Sequence, residues 1–140
     1  TPPPPILSGL VGSEMCIRDR YFTEQELECQ HCGKRAIDED FMSIIEDLRE
    51  ELGFPFVVTS GYRCPEHPIE AKKAKPGSHS TGMAIDINVT GEDAFKLTQL
   101  AMASGIKRIG WNQKGEHSKR FVHLDTAESS DFPSPTIWTY

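Results

Sequence analysis

Residues 78–89 read Ser78-His79-Ser80-Thr81-Gly82-Met83-Ala84-Ile85-Asp86-Ile87-Asn88-Val89, and the direction in which Asp86 points decides the fold. A carboxylate inside an apolar run is costly to bury unless something positive neutralises it. In a strand, successive side chains alternate between two faces. Met83, Ile85, Ile87 and Val89 then share one face, while Ala84, Asp86 and Asn88 take the other. If the isoleucines point into a core, Asp86 faces a cleft. His79 stands just before this strand, and Gly82 permits a turn tight enough to bring its imidazole back toward that cleft.

Outward from this strand the chain alternates irregularly between helical and extended patterns. Phe41, Ile44, Ile45, Leu48 and Leu52 form one stripe of an amphipathic helix, with Asp38 or a neighbour as its cap and Gly53 as its stop. Phe54 to Thr59 is β-branched and aromatic, a strand ending in the turn SGYRCPEHP. Thr23-Glu24-Gln25-Glu26 matches a capping box. Ile69 to Ala74 has room for one or two helical turns after Pro65 and Pro68. Thr90 precedes a second helix over Glu92 to Ser104, with Phe95, Leu97, Leu100, Ala101 and Met102 available for packing. Two further strands, Ile106 to Trp111 and Phe121 to Asp125, flank the polar loop NQKGEHSKR. The Ser/Pro-rich tail after Thr126 reads as packed coil. This order predicts an α+β fold, a small antiparallel sheet with helices packed on it.

The chain of 140 residues is long enough for one domain with a core of its own. Residues 1–20, TPPPPILSGLVGSEMCIRDR, develop neither period 2 nor period 3.6 and resemble a translated sequencing-adapter fragment. They read as a non-native leader containing Cys16, and the domain as residues 21–140. A net charge of −6 gives no footprint for nucleic acid, and the small basic group Lys72, Lys73 and Lys75 reads as a solvated helix end. No run is apolar enough for a membrane span, and no secretory signal is visible. The domain is expected to be a monomer.

In the last strand Phe121, His123 and Asp125 share a face. His79, Asp86 and His123 thus offer two imidazoles and one carboxylate, the composition of a catalytic zinc site with an open fourth position. Taken singly, a strand histidine is more often just a half-buried polar residue, and Arg63 reads as a structural ion-pair partner. Cys29 and Cys32 form C-x2-C, and Cys64 with His67 forms C-x2-H. Together they could supply a structural Cys3His zinc site; a disulfide from Cys64 to Cys29 or Cys32, or reduced thiols, are the other readings.

Four features in order, SGYR (60–63), H-x2-G-x-A-x-D (79–86), GW (110–111) and FVHLD (121–125), resemble the M15 family of zinc peptidases, closest to its compact M15A type. The resemblance covers about residues 21–126 and implies the hedgehog/DD-peptidase-like fold. It implies a zinc ion on His79, Asp86 and His123, and Arg63 as the group that holds a substrate carboxylate or a developing oxyanion. The implied activity is hydrolysis of peptidoglycan peptide bonds, as a D-Ala-D-Ala carboxypeptidase or a stem or cross-link endopeptidase. Its place of action would be periplasmic or extracellular, or it would be a phage-encoded protein at the cell wall. The chain departs from the family pattern twice. Gly77 stands where a serine commonly precedes the first zinc histidine, and Arg120 and Phe121 stand where members place a general base. Glu116, His117 and Asp125 are the nearest groups for proton transfer, Asp125 equally as a residue orienting a histidine. The alternatives are a non-catalytic, zinc-stabilised wall-binding module of the same fold and, more remotely, a zinc-ribbon adaptor built on CQHC.

Overall fold

Asp38 starts the first long helix as anticipated. Its carboxylate accepts a hydrogen bond from the Phe41 N–H at 2.9 Å, and Gly53, at φ 77°, closes the last turn. The computed structural model describes residues 21–22, 24–33, 36–73, 77–129 and 131–140; the leader, Cys16, Thr23 and Lys75 lie outside them. In chain order the helices are α1 (Glu24–Leu27), α2 (Glu39–Leu52), α3 (Pro68–Ala71) and α4 (Gly91–Ala103), with 3-10 turns at Ser78–Thr81 and His117–Lys119. The strands are β1 (Val57–Ser60), β2 (Ala84–Asn88), β3 (Arg108–Asn112), β4 (Phe121–Asp125) and β5 (Thr136–Thr139). No helix among the described residues is long and apolar enough to cross a membrane.

The strands form one sheet in the order β1-β2-β4-β3-β5, antiparallel except where β5 runs parallel to β3. Alternation sorts its residues as the sequence requires. Ile85 pairs with Leu124, and Leu124 with Ile109, giving an apolar row that packs with Phe41, Ile45 and Leu48 of α2 and Leu97 and Ala101 of α4. The adjacent register places Ser60 opposite Asp86, Asp86 opposite His123, His123 opposite Gly110, and Gly110 opposite Trp138. Because neighbours across a sheet share a face, this row carries the chemistry on the surface away from the helices.

Three expectations need correction. Phe95 and Met102 are 62% and 49% exposed, because they sit seven residues apart on the stripe turned away from Ala94, Leu97 and Ala101. The first strand starts at Val57, not Phe54: Phe54 and Phe56 are spent on a ring cluster (centroids 5.5 Å apart) ahead of the paired segment. The tail is not all coil. β5 adds itself to the sheet edge with its Thr136 N–H on the Lys107 carbonyl at 2.8 Å.

Candidate metal centre

The SGYR turn and the 3-10 turn that carries His79 are hydrogen-bonded to each other. The Arg63 N–H donates to the His79 carbonyl (3.2 Å), and the Ser80 hydroxyl donates to the Arg63 carbonyl (2.7 Å). Gly82 ends the 3-10 turn at φ 79°, and a Cβ there would strike the Ala36 carbonyl, so this bend needs glycine twice over. The His79 Nδ1 lies 2.7 Å from the Gly61 carbonyl oxygen. A carbonyl only accepts, so Nδ1 carries a proton, and the other ring nitrogen, Nε2, faces Asp86 Oδ1 at 3.3 Å.

Register brings the other two groups together. Asp86 and His123 are a cross-strand pair, with His123 Nδ1 2.8 Å from Asp86 Oδ1. The opposite ring nitrogen, Nε2, lies 2.6 Å from Asp125 Oδ2 and 3.3 Å from the Ser78 hydroxyl. Asp125 is fully buried, and the Arg108 Nε donates to its other oxygen at 2.7 Å. Burial disfavours the charged form of each group, but mutual hydrogen bonds outweigh it. They hold Asp86 well below the usual carboxylate range and His123 above the usual imidazole value.

The candidate ligand atoms of His79, Asp86 and His123 all lie within 4.8 Å of one another. Each imidazole is gripped from behind by an oxygen acceptor, the arrangement that fixes tautomer and direction in metal-binding histidines. Two nitrogens and a carboxylate oxygen suit a divalent ion of the zinc type. The residues present therefore fit a metal.

Arg63 reaches the same place from the SGYR turn. Its Nε donates to the Ser60 hydroxyl (3.0 Å), one terminal nitrogen donates to Glu70 (3.0 Å), and the other stands 3.8 Å from Asp86. A cleft of about 440 Å³ opens over Arg63, His79, Asp86 and His123, walled by Asp131, Phe132, Trp138 and Tyr140. Glu116 and His117 are exposed and do not line it. Asp125 sits behind His123, on the ring nitrogen opposite the one that faces Asp86. Sequence alone does not mark Glu70, Asp131, Trp138 or Tyr140 as residues of the site. Glu70 lies in the charged stretch EAKK, which looks solvated, and the aromatics lie in a tail without periodicity.

The cysteines make a second cluster. Cys29, Cys32 and Cys64 bring their sulfurs within 4.8 Å of one another, while His67 stays outside the group. The His67 Nδ1 is occupied as the cap of α3, accepting from the Ile69 N–H at 3.2 Å. Burial pushes the Cys29 thiol up, but N–H groups of Cys64, Cys32 and His31 outweigh it and bring it to about 7. Burial and the neighbouring thiols push Cys64 up to about 11.

No curated protein matches the chain. A family model described as Peptidase M15 matches residues 20–125, a span that holds Arg63, the His79–Asp86–His123 group and the cysteine cluster. With that match over most of its length, and with a metal-ready site inside it, the chain belongs to the peptidase M15 family and is a metallopeptidase.

Proposed function

We propose that this metallopeptidase uses zinc and hydrolyses peptide bonds of peptidoglycan, at a terminal D-alanine or within a stem or cross-link. The observation that carries the reading is a pre-oriented His79–Asp86–His123 set sharing one cleft with the clamped guanidinium of Arg63. Zinc, held by those three residues, supplies the Lewis acidity that makes water nucleophilic near neutral pH and polarises a peptide carbonyl. Arg63, with two of its donors held by Ser60 and Glu70, keeps a terminal nitrogen aimed at the cleft for a substrate carboxylate or a developing oxyanion. Lys73 and Arg108 also line the cleft, each already paired with a carboxylate, Glu70 and Asp125. Gly61 and Asp125 keep the two imidazoles in their binding tautomers.

Proton transfer falls to Asp131. Besides Asp86 it is the carboxylate lining the cleft among the described residues. It takes a proton from the attacking water and returns it to the leaving amine. A wall substrate places the work of the protein at the cell wall. The test is incubation of zinc-loaded protein with peptidoglycan of several wall types, with fragments read by mass spectrometry. New peptide fragments are expected, abolished by chelation and by His123→Ala. Arg63→Lys should cost on the order of 10²-fold in rate, and Asp131→Asn about 10²-fold or more. Binding to walls without any release of fragments would overturn the assignment of substrate.

A further inference from the structure

We propose that Cys29, Cys32 and Cys64 form a second metal site, a structural zinc held by three thiolates. Three side chains from two separate turns converge there, with their ligand atoms within 4.8 Å of one another. Cys29 and Cys64 are buried, whereas Cys32 is exposed, so the cluster sits at the edge of the core with one thiol open to solvent. The Cys64 N–H points at the Cys29 sulfur at 3.3 Å, and the Cys29 carbonyl accepts from the Gly33 N–H at 2.7 Å, folding residues 29–33 into a knuckle. An amide aimed at a sulfur stabilises thiolate, the form that binds metal.

Two other roles explain less. Cysteine as a small apolar filler accounts for Cys29 and Cys64 but not for an exposed third thiol beside them. A Cys29–Cys64 disulfide would join sulfurs now 3.6 Å apart and leave Cys32 without a role. A divalent zinc uses all three: the thiols give up their protons, and the ion and three thiolates together carry one net negative charge. His67, the fourth ligand suggested by spacing, is not required, since its Nδ1 already caps α3.

The position of the site gives it a purpose. The Tyr62 N–H donates to the Leu27 carbonyl at 3.1 Å, and a Cβ on Gly61 would approach that carbonyl oxygen at 2.8 Å, so the two segments run in backbone contact. Zinc between Cys29, Cys32 and Cys64 locks this contact at the residue next to Arg63. It is a brace for the SGYR turn and independent of the peptidase centre.

Metal content per chain tests it, in a Cys16→Ser background so that only these thiols report. Wild-type protein made in zinc-supplemented medium and desalted without chelator should hold two zinc ions per chain. His123→Ala should hold one and Cys32→Ser one, the latter change being at an exposed position that spares the core. Cobalt loading of the His123→Ala protein should give thiolate-to-cobalt charge-transfer absorption, lost in His123→Ala/Cys32→Ser. Failure of the peptidase reading would instead leave His123→Ala with the wild-type metal content. Unchanged zinc in Cys32→Ser, no charge-transfer band, or a Cys29–Cys64 disulfide in peptide maps of freshly isolated protein would each overturn the proposal.

Discussion

Glu70 shows how one residue can set the geometry of a site it does not enter. Its buried carboxylate accepts the Gly77 N–H at 2.6 Å, and Arg63 and Lys73 donate to its second oxygen at 3.0 Å each. It therefore ties the arginine of the cleft to the loop that leads into His79. Burial alone would raise its pKa, but the Gly77 N–H, Lys73 and Arg63 outweigh that and hold it below the usual carboxylate range. A depressed carboxylate stabilises the fold above the unfolded pKa and loses that contribution as pH falls through the folded one. Glu70→Gln should cost about 1.5–3 kcal/mol near neutral pH. The deficit should shrink toward zero below about pH 4 in urea melts run across pH. A deficit independent of pH would show that shape, not charge, is what Glu70 contributes.

At the scale of elements, β5 is the addition that completes the cleft. Trp138 lies opposite Gly110, and its ring centroid is 5.3 Å from that of His123 and 5.0 Å from the Arg108 guanidinium. A Cβ at position 110 would come within 2.7 Å of the indole, so glycine in β3 is the seat for the tryptophan of β5. Gly110→Ala should displace β5 and cost about 1–3 kcal/mol, the range for overpacking. A shift in tryptophan fluorescence should accompany the loss of stability. Unchanged fluorescence and stability would mean that Trp138 moves aside without β5. The sequence hides this strand because its four residues follow Pro133 and Pro135 and the apolar Ile137 takes the exposed face, so burial alternates without an apolar/polar alternation in the residues. The helix α2 was readable for the opposite reason: its cap, stripe and stop are all local.

For the molecule as a whole, the buried row of Asp86, His123 and Asp125 links folding to metal and pH. In metal-free protein His123 stands between two carboxylates, with its pKa raised by them against the effect of burial. Its contribution to stability is fully present below the ordinary imidazole value of about 6.5 and is lost as pH rises through the raised one. Metal needs the Nδ1 lone pair, so its binding strengthens over the same rise. Chelator should therefore lower the melting temperature more at about pH 8 than at about pH 6. At a hundredfold excess of metal over Kd, loaded protein is about 2.7 kcal/mol more stable than stripped protein. A gap between loaded and stripped protein that narrows with pH would contradict this linkage. The sequence by itself determined the α+β class, the long helices, the direction of Asp86 and the candidate ligands, because periodicity, caps and strand alternation are written in neighbouring residues. Only the tertiary structure decided that Asp125 backs His123, that Glu70 holds Arg63, and that β5 walls the cleft with Trp138. Those pairings join distant positions, and cross-sheet register and buried charge pairing arise only when the strands are assembled.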